Sequence, residues 1–171
     1  MRTASSRTRT LAALVATVVL PVIASAQPTV AAQPAKQHVM LDPAQLEWKP
    51  APDVLPPGAQ VAVLDGDPTK PGLFTMRIQL PDGYRIQPHF HGADEHVTVV
   101  SGTFHVGLGD KWDDAAGTAL PAGGFAVMPA GTHHFAWATG ETVLQIHAVG
   151  PWTLTYVNAA DDPRTSKPPD R

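Results

Sequence analysis

The sequence predicts an all-β sandwich or small barrel over roughly residues 40–160. Three observations carry this expectation. Short runs of β-branched and aromatic residues follow one another with period-two alternation. Turn sequences rich in Gly and Pro separate the runs. Outside the N-terminus, no stretch of a dozen residues keeps an apolar period of 3.6. In order the runs are QVAVLD, LFTMRIQL, YRIQPHFH, EHVTVV, GTFHVGLG, GFAVMPA, HHFAWAT, TVLQIHAVG and WTLTYVN. Between them stand DGDPTKPG, PDG, SG, GD, PAGG, PAG and TG. Many short strands with such punctuation make two packed sheets or a closed barrel.

The chain has 171 residues, enough for one domain with a real core. Its first residues read as a secretory signal over 1–26. Arg2, Arg7 and Arg9 precede an apolar run from Leu11 to Ala24, and Ala24-Ser25-Ala26 is a small-x-small cleavage pattern. The apolar run is broken by Pro21 and falls short of the roughly 20 residues that span a bilayer. No arginine pair is present there, which points to the general secretory route. The expected location is exported, periplasmic or secreted.

Residues 27–40 read as a flexible leader. The domain runs over 41–160, opening with the proline-rich stretch MLDPAQLEWKPAPDVLPPGA, which suits neither a long helix nor a central strand. Residues 161–171, DDPRTSKPPDR, read as a loose tail.

Cleavage removes three arginines and no acid, leaving 9 basic against 15 acidic residues, a net charge of −6. That balance argues against nucleic acid and against an anionic membrane surface as partners. The absence of cysteine excludes a disulfide framework and thiolate metal sites.

Residues 89–96, HFHGADEH, gather three of the eight histidines with two acids. Side chains two apart on a strand share a face, so His89 and His91 point together. Glu95 joins them if one strand or a regular hairpin carries all three, and His96 then points away. Two imidazoles and a carboxylate on one face are a metal-ligand set. A second group, GGFAVMPAGTHHFAW, places His133 and His134 at the start of another strand, where only one can face a given side.

These residues resemble the cupin superfamily. Gly83, His89, His91, Glu95 and Gly102 match its first motif, G-x5-H-x-H-x(3–4)-E-x6-G. Gly123, Pro129, Gly131 and His134 match its second, G-x5-P-x-G-x2-H-x3-N, except that Ala138 stands where the motif has Asn. That Asn is no ligand, so its loss bears on strand packing. The resemblance covers about residues 60–157 and implies a double-stranded β-helix, a jelly-roll barrel. It also implies the site: His89, His91, Glu95 and His134 as ligands of a divalent transition metal. Fe, Mn, Ni, Cu, Co and Zn all suit three imidazoles and a carboxylate. Small single-domain members are often homodimers, and a small-molecule ligand is the expected partner.

Alternation in TVLQIHAVG puts Gln145 and His147 on one face and Leu144 and Ile146 on the other. If the first face lines the pocket, His147 is a candidate proton-transfer residue and Gln145 a candidate substrate contact. Arg77 is a further candidate contact, through a substrate carboxylate. His105 and Arg85 carry the same question of facing. Phe90, Phe104, Phe125, Phe135, Trp137 and Trp152 read mainly as core, with one or two walling a pocket. KWDDAAG reads as a solvated surface loop. A cupin fold leaves function open between a metalloenzyme of oxygenase, isomerase or lyase type and a non-catalytic binding or sensing module.

Overall fold

The computed structural model describes residues 38–166. The expected signal segment and the leader up to residue 37 lie outside them. Among the described residues nine strands form: β1 (Lys49–Pro50), β2 (Gln60–Asp65), β3 (Gly72–Leu80), β4 (Arg85–His91), β5 (Glu95–Leu108), β6 (Thr118–Pro121), β7 (Phe125–Met128), β8 (His134–Gly150) and β9 (Leu154–Tyr156). Their pairings are antiparallel. The expected all-β jelly-roll barrel is the fold.

Two strands are longer than the punctuation suggested. SG and TG do not end strands; they bend them. β5 runs through Ser101-Gly102 with register shifts on both sides of Ser101. Gly102 adopts φ 78°, and a Cβ there would sit 2.4 Å from Thr142 Oγ1, so only glycine allows the close crossing of β5 over β8. β8 bends likewise after Thr139. The bends let β8 serve both halves of the barrel. Its first part pairs with β4 and with the end of β5, and its last part pairs with β3 and with the start of β5.

Alternation then sorts the side chains. Phe74, Met76, Ile78 and Leu80 of β3, Val97 and Val99 of β5, and Leu144 and Ile146 of β8 are buried in one core. Each such side chain taken from water contributes about 1.5–3 kcal/mol. Ala138, where the motif has Asn, is 1% exposed. Its N–H donates to Tyr84 O at 3.0 Å and its carbonyl accepts from Gly83 N–H at 3.2 Å, so the strand pairing survives the exchange.

The proline-rich stretch is structured by the barrel rather than by itself. Between β1 and β2 the chain folds back, with Ala51 N–H donating to Ala59 O at 3.0 Å. The Tyr156 hydroxyl donates to Val54 O at 2.8 Å, and the Tyr84 hydroxyl donates to Pro56 O. Leu55, between those two anchors, is buried. The segment KWDDAAG is also tied down: Trp112 packs on Phe135 and Trp137, with ring centroids 5.0 and 5.4 Å away. Phe125, expected in the core, is 58% exposed, because its strand partner Thr98 faces the outside of the barrel. At the C-terminal end, residues 159–166 form a 3-10 turn and one helical turn, with Asp162 binding Arg164.

Candidate metal centre

β4 would not present its histidines inward by alternation alone. Ile86 is buried, and His89, three positions on, would face the opposite side of a regular strand. A register shift between Ile86 and His89 turns the second half of β4 over. Pro88, which has no N–H for the ladder, sits within that irregular stretch. His89 and His91 are then both buried, at 2% and 3% exposure.

His134 opens β8 directly opposite His89. The turn leading into it is fixed from the other histidine's side. Gly131 N–H donates to the carbonyl of His91 at 2.9 Å, and Ala130 N–H donates to Asp94 Oδ1 at 2.8 Å. Glu95, at the start of β5, points inward in phase with Val97 and Val99. The two motif histidine groups thus meet inside the barrel. Ring centroids of His89 and His134 lie 4.2 Å apart, and those of His91 lie 5.1 and 5.2 Å from them. One ring nitrogen from each of His89, His91 and His134 lies within 4.8 Å of the others. Glu95 Oε2 is 3.3 Å from His91 Nε2 and 4.0 Å from His134 Nε2.

The hydrogen bonds decide which nitrogens converge. Each Nδ1 faces a backbone carbonyl: His89 to Gln87 at 2.7 Å, His91 to Thr153 at 2.8 Å and His134 to Thr132 at 2.9 Å. A carbonyl only accepts, so each Nδ1 carries the proton and each neutral ring turns an unprotonated Nε2 inward. This second layer of hydrogen bonds is what orients histidine ligands at metal centres. His91 Nε2 is buried and has no hydrogen-bond partner. It stands close to Glu95, but not aligned for a hydrogen bond. Three inward lone pairs, one orphaned, beside a carboxylate fit a divalent cation.

The protonation tendencies follow from the same geometry. Burial, then the neighbouring His134 and His91, hold His89 well below the ordinary histidine range. Burial also lowers His134, against the opposing pull of the Thr132 carbonyl and Glu95. Burial pulls His91 down too, but the Glu95 carboxylate and the Thr153 carbonyl more than reverse it, and its pKa is raised. A cation in the cavity would compete with a proton at His91 Nε2 for the Glu95 carboxylate.

The cavity around these groups is apolar and small. Leu55, Ile78, Ile86, Leu144 and Leu154 line it with Phe104 and Trp152, and about 30 Å³ is free. Phe104 and Trp152 are thus the aromatic residues that wall the site. A roomier groove of about 500 Å³ lies outside, between the proline-rich segment and residues 163–164, and it contains none of the histidines.

His147, Gln145 and Arg77 do not reach the cavity. The face they share is the outer one, because Leu144 and Ile146 fill the inside. There they form a polar chain across β3 and β8. Arg77 Nε donates to Gln145 Oε1 at 3.2 Å, Gln145 Nε2 lies 3.1 Å from His147 Nε2, and His147 Nδ1 lies 3.0 Å from Thr75 Oγ1. Arg only donates, so Gln145 turns its NH2 to His147, whose Nε2 accepts while Nδ1–H donates to Thr75. The remaining candidates also face outward. His105 stacks on Trp137 at 4.5 Å, and Arg85 lies over Trp112 at 4.7 Å. His96 pairs with His147 on the outer sheet face, and His133 binds Asp110 at 2.6 Å. Leu55 was the lining residue that sequence reasoning missed. It comes from a segment with no periodicity to place it.

Comparison with known proteins agrees with this construction. A family model described as the ChrR cupin-like domain matches residues 36–153. No curated protein matches the chain. Among solved structures, the polyketide cyclase RemF from Streptomyces resistomycificus is similar, at 18% identity and TM-score 0.59, over 77% of this chain and 95% of that one. A candidate acetylacetone dioxygenase from Methylibium petroleiphilum aligns at 20% identity and TM-score 0.58, covering 76% and 88%. A sugar phosphate isomerase of the cupin superfamily from Silicibacter pomeroyi aligns at 19% identity and TM-score 0.53, covering 68% and 80%. At these identities the likeness is one of fold. With its two motifs meeting inside a jelly-roll barrel and a family model spanning most of its length, this chain belongs to the ChrR cupin-like domain family of the cupin superfamily.

Proposed function

We propose that the chain is an exported metal-binding cupin whose buried divalent metal engages a small molecule. One observation carries the reading: three imidazoles, each pinned through Nδ1 to a backbone carbonyl, turn Nε2 into one small cavity beside Glu95. His89, His91 and His134 would hold the ion, with Glu95 as fourth ligand or as the group that balances its charge. Bound there, a first-row ion supplies Lewis acidity or an oxygen-binding centre. Besides the histidines, Glu95 is the titratable group among the cavity's lining residues, so a proton moved there moves through Glu95. An oxygenase, isomerase or lyase of this design relies on the ion more than on side-chain acid–base chemistry.

A second reading, a non-catalytic binding or sensing module, is favoured by the small free volume of the cavity beside Leu55 and Trp152, about 30 Å³. It is favoured also by the placement of His147 outside. A homodimer has a surface to form on: Leu73, Phe125 and Val149 stand exposed on the outer sheet face. Among the described residues no helix is long and apolar enough to cross a membrane. The acidic balance speaks against nucleic acid.

Elemental analysis of the mature protein, purified from its native compartment beside the His91→Ala variant, tests the metal. Near-stoichiometric metal that disappears in the variant supports the proposal. Metal-free wild-type protein, or equal content in the two, sinks it. Turnover of small organic substrates by the loaded protein then separates the enzyme from the module.

A further inference from the structure

Among the described residues, two buried side-chain polar atoms have no hydrogen-bond partner: Nε2 of His91 and Nε1 of Trp152. They sit on two rings stacked against each other, with centroids 4.9 Å apart and planes 18° from parallel. The two residues line the same cavity. Buried polar groups are nearly always paired, and two orphans on one stacked pair ask for a common explanation.

Their chemistry differs. His91 Nε2 offers a lone pair, which a cation satisfies. The indole N–H only donates, so a cation leaves it unpaired. It needs an acceptor, and the cavity supplies few. Apart from the histidines and Glu95, the other residues named as its lining are aliphatic or aromatic. The missing acceptor is therefore the occupant of the cavity. About 30 Å³ of free space admits little more than a water-sized molecule or two. Arg77 and Arg85 face outward, so no cationic side chain among those lining residues would compensate a larger anion.

We infer that the Trp152 indole N–H hydrogen-bonds the ligand held beside the metal, and that this ligand is a small acceptor of two or three heavy atoms. The inference rests on the metal reading above and deepens it. Trp152 selects by size and by hydrogen bonding together: its ring closes the space over His91, and its N–H rewards an occupant with an acceptor atom. A phosphorylated sugar or a dicarboxylate has acceptor atoms but exceeds the space.

Azide, three atoms with an acceptor at each end, is the probe. Zinc-loaded protein with ¹⁵N-labelled tryptophan has four indole resonances to follow, and Trp152→Phe identifies the one that belongs to residue 152. Phe keeps an aromatic ring against His91 and removes the donor. The expected result is a Trp152 indole shift that follows azide saturation. Azide affinity, read from the visible bands of the cobalt-loaded protein, falls about fivefold in Trp152→Phe, the loss of one hydrogen bond. Azide binding with a silent indole overturns the inference alone, and so does metal uptake with no azide binding. An unfolded variant leaves the wild-type indole shift to decide, since the other three resonances can be assigned by substituting Trp48, Trp112 and Trp137. Failure to take up any metal overturns the metal reading first and this inference with it.

Discussion

The two faces of the same sheet use histidine in opposite ways. Inside, His89, His91 and His134 each spend one ring nitrogen on a backbone carbonyl and leave the other turned inward. Outside, His147 spends both nitrogens, on Thr75 and Gln145, in a chain that ends on Arg77. β8 carries both kinds, with His134 at one end and His147 near the other. A ring with one nitrogen in reserve is ready for a ligand; a ring with both engaged is a cross-strand brace. Residue type does not separate the two cases. Between His134 and His147 on β8, what the second nitrogen meets does: the cavity inside, Gln145 outside.

The largest test of this contrast is loss of metal. His91→Ala should empty the site, while His147→Ala should keep wild-type metal content in elemental analysis. Metal loss in His147→Ala would break the comparison outright. Next in size is Glu95→Gln, which removes the nearest carboxylate without changing shape. Metal affinity should fall at least about tenfold in a chelator competition. An unchanged affinity would remove Glu95 from the ligand set.

The pH dependence of the metal-free protein sharpens the contrast further. His89 and His134 have folded-state pKa values below the unfolded value of 6.5. Below pH 6.5 the unfolded chain binds protons that the folded rings refuse. Their contribution, complete above pH 6.5, is lost as pH falls from there toward the folded values, at up to about 1.4 kcal/mol per pH unit for each ring. His91 runs the other way: its pKa is raised, so its contribution is full below 6.5 and is lost as pH rises through the folded value. Thermal melts from pH 7.5 to 5 should therefore show falling stability on the acid side, and bound metal should steepen the fall, because it keeps protons off all three rings. A melting temperature that rises on acidification would contradict the two lowered rings. The smallest effect belongs outside. Thr75→Val should cost about 1 kcal/mol in denaturant unfolding, with metal content untouched.

Much of this was legible in the residues. Strand runs and turn glycines point to the barrel because alternation and turn chemistry are local properties. His89, His91, Glu95 and His134 stand at motif spacing because two turns set where their strands begin. What stayed hidden depends on long-range packing. Alternation grouped Gln145 with His147 but could not say that Leu144 and Ile146 would take the inside. The register shift after Ile86, which turns His89 inward, depends on pairing with β8 and β9. SG and TG read as strand ends, but at each the strand bends and continues. Leu55 reaches the cavity only because Tyr84 and Tyr156, far along the chain, hold the carbonyls beside it.

Leu55 lines the inner cavity and the outer groove alike, as the partition between them. An ion held in the centre as proposed would leave by that side when the segment between its two tyrosine anchors detaches. Departure there would follow a local opening of the fold as well as the bond strengths at the ion. The supply of ions where the chain folds would then weigh on its content beside the ranking of divalent metals by affinity.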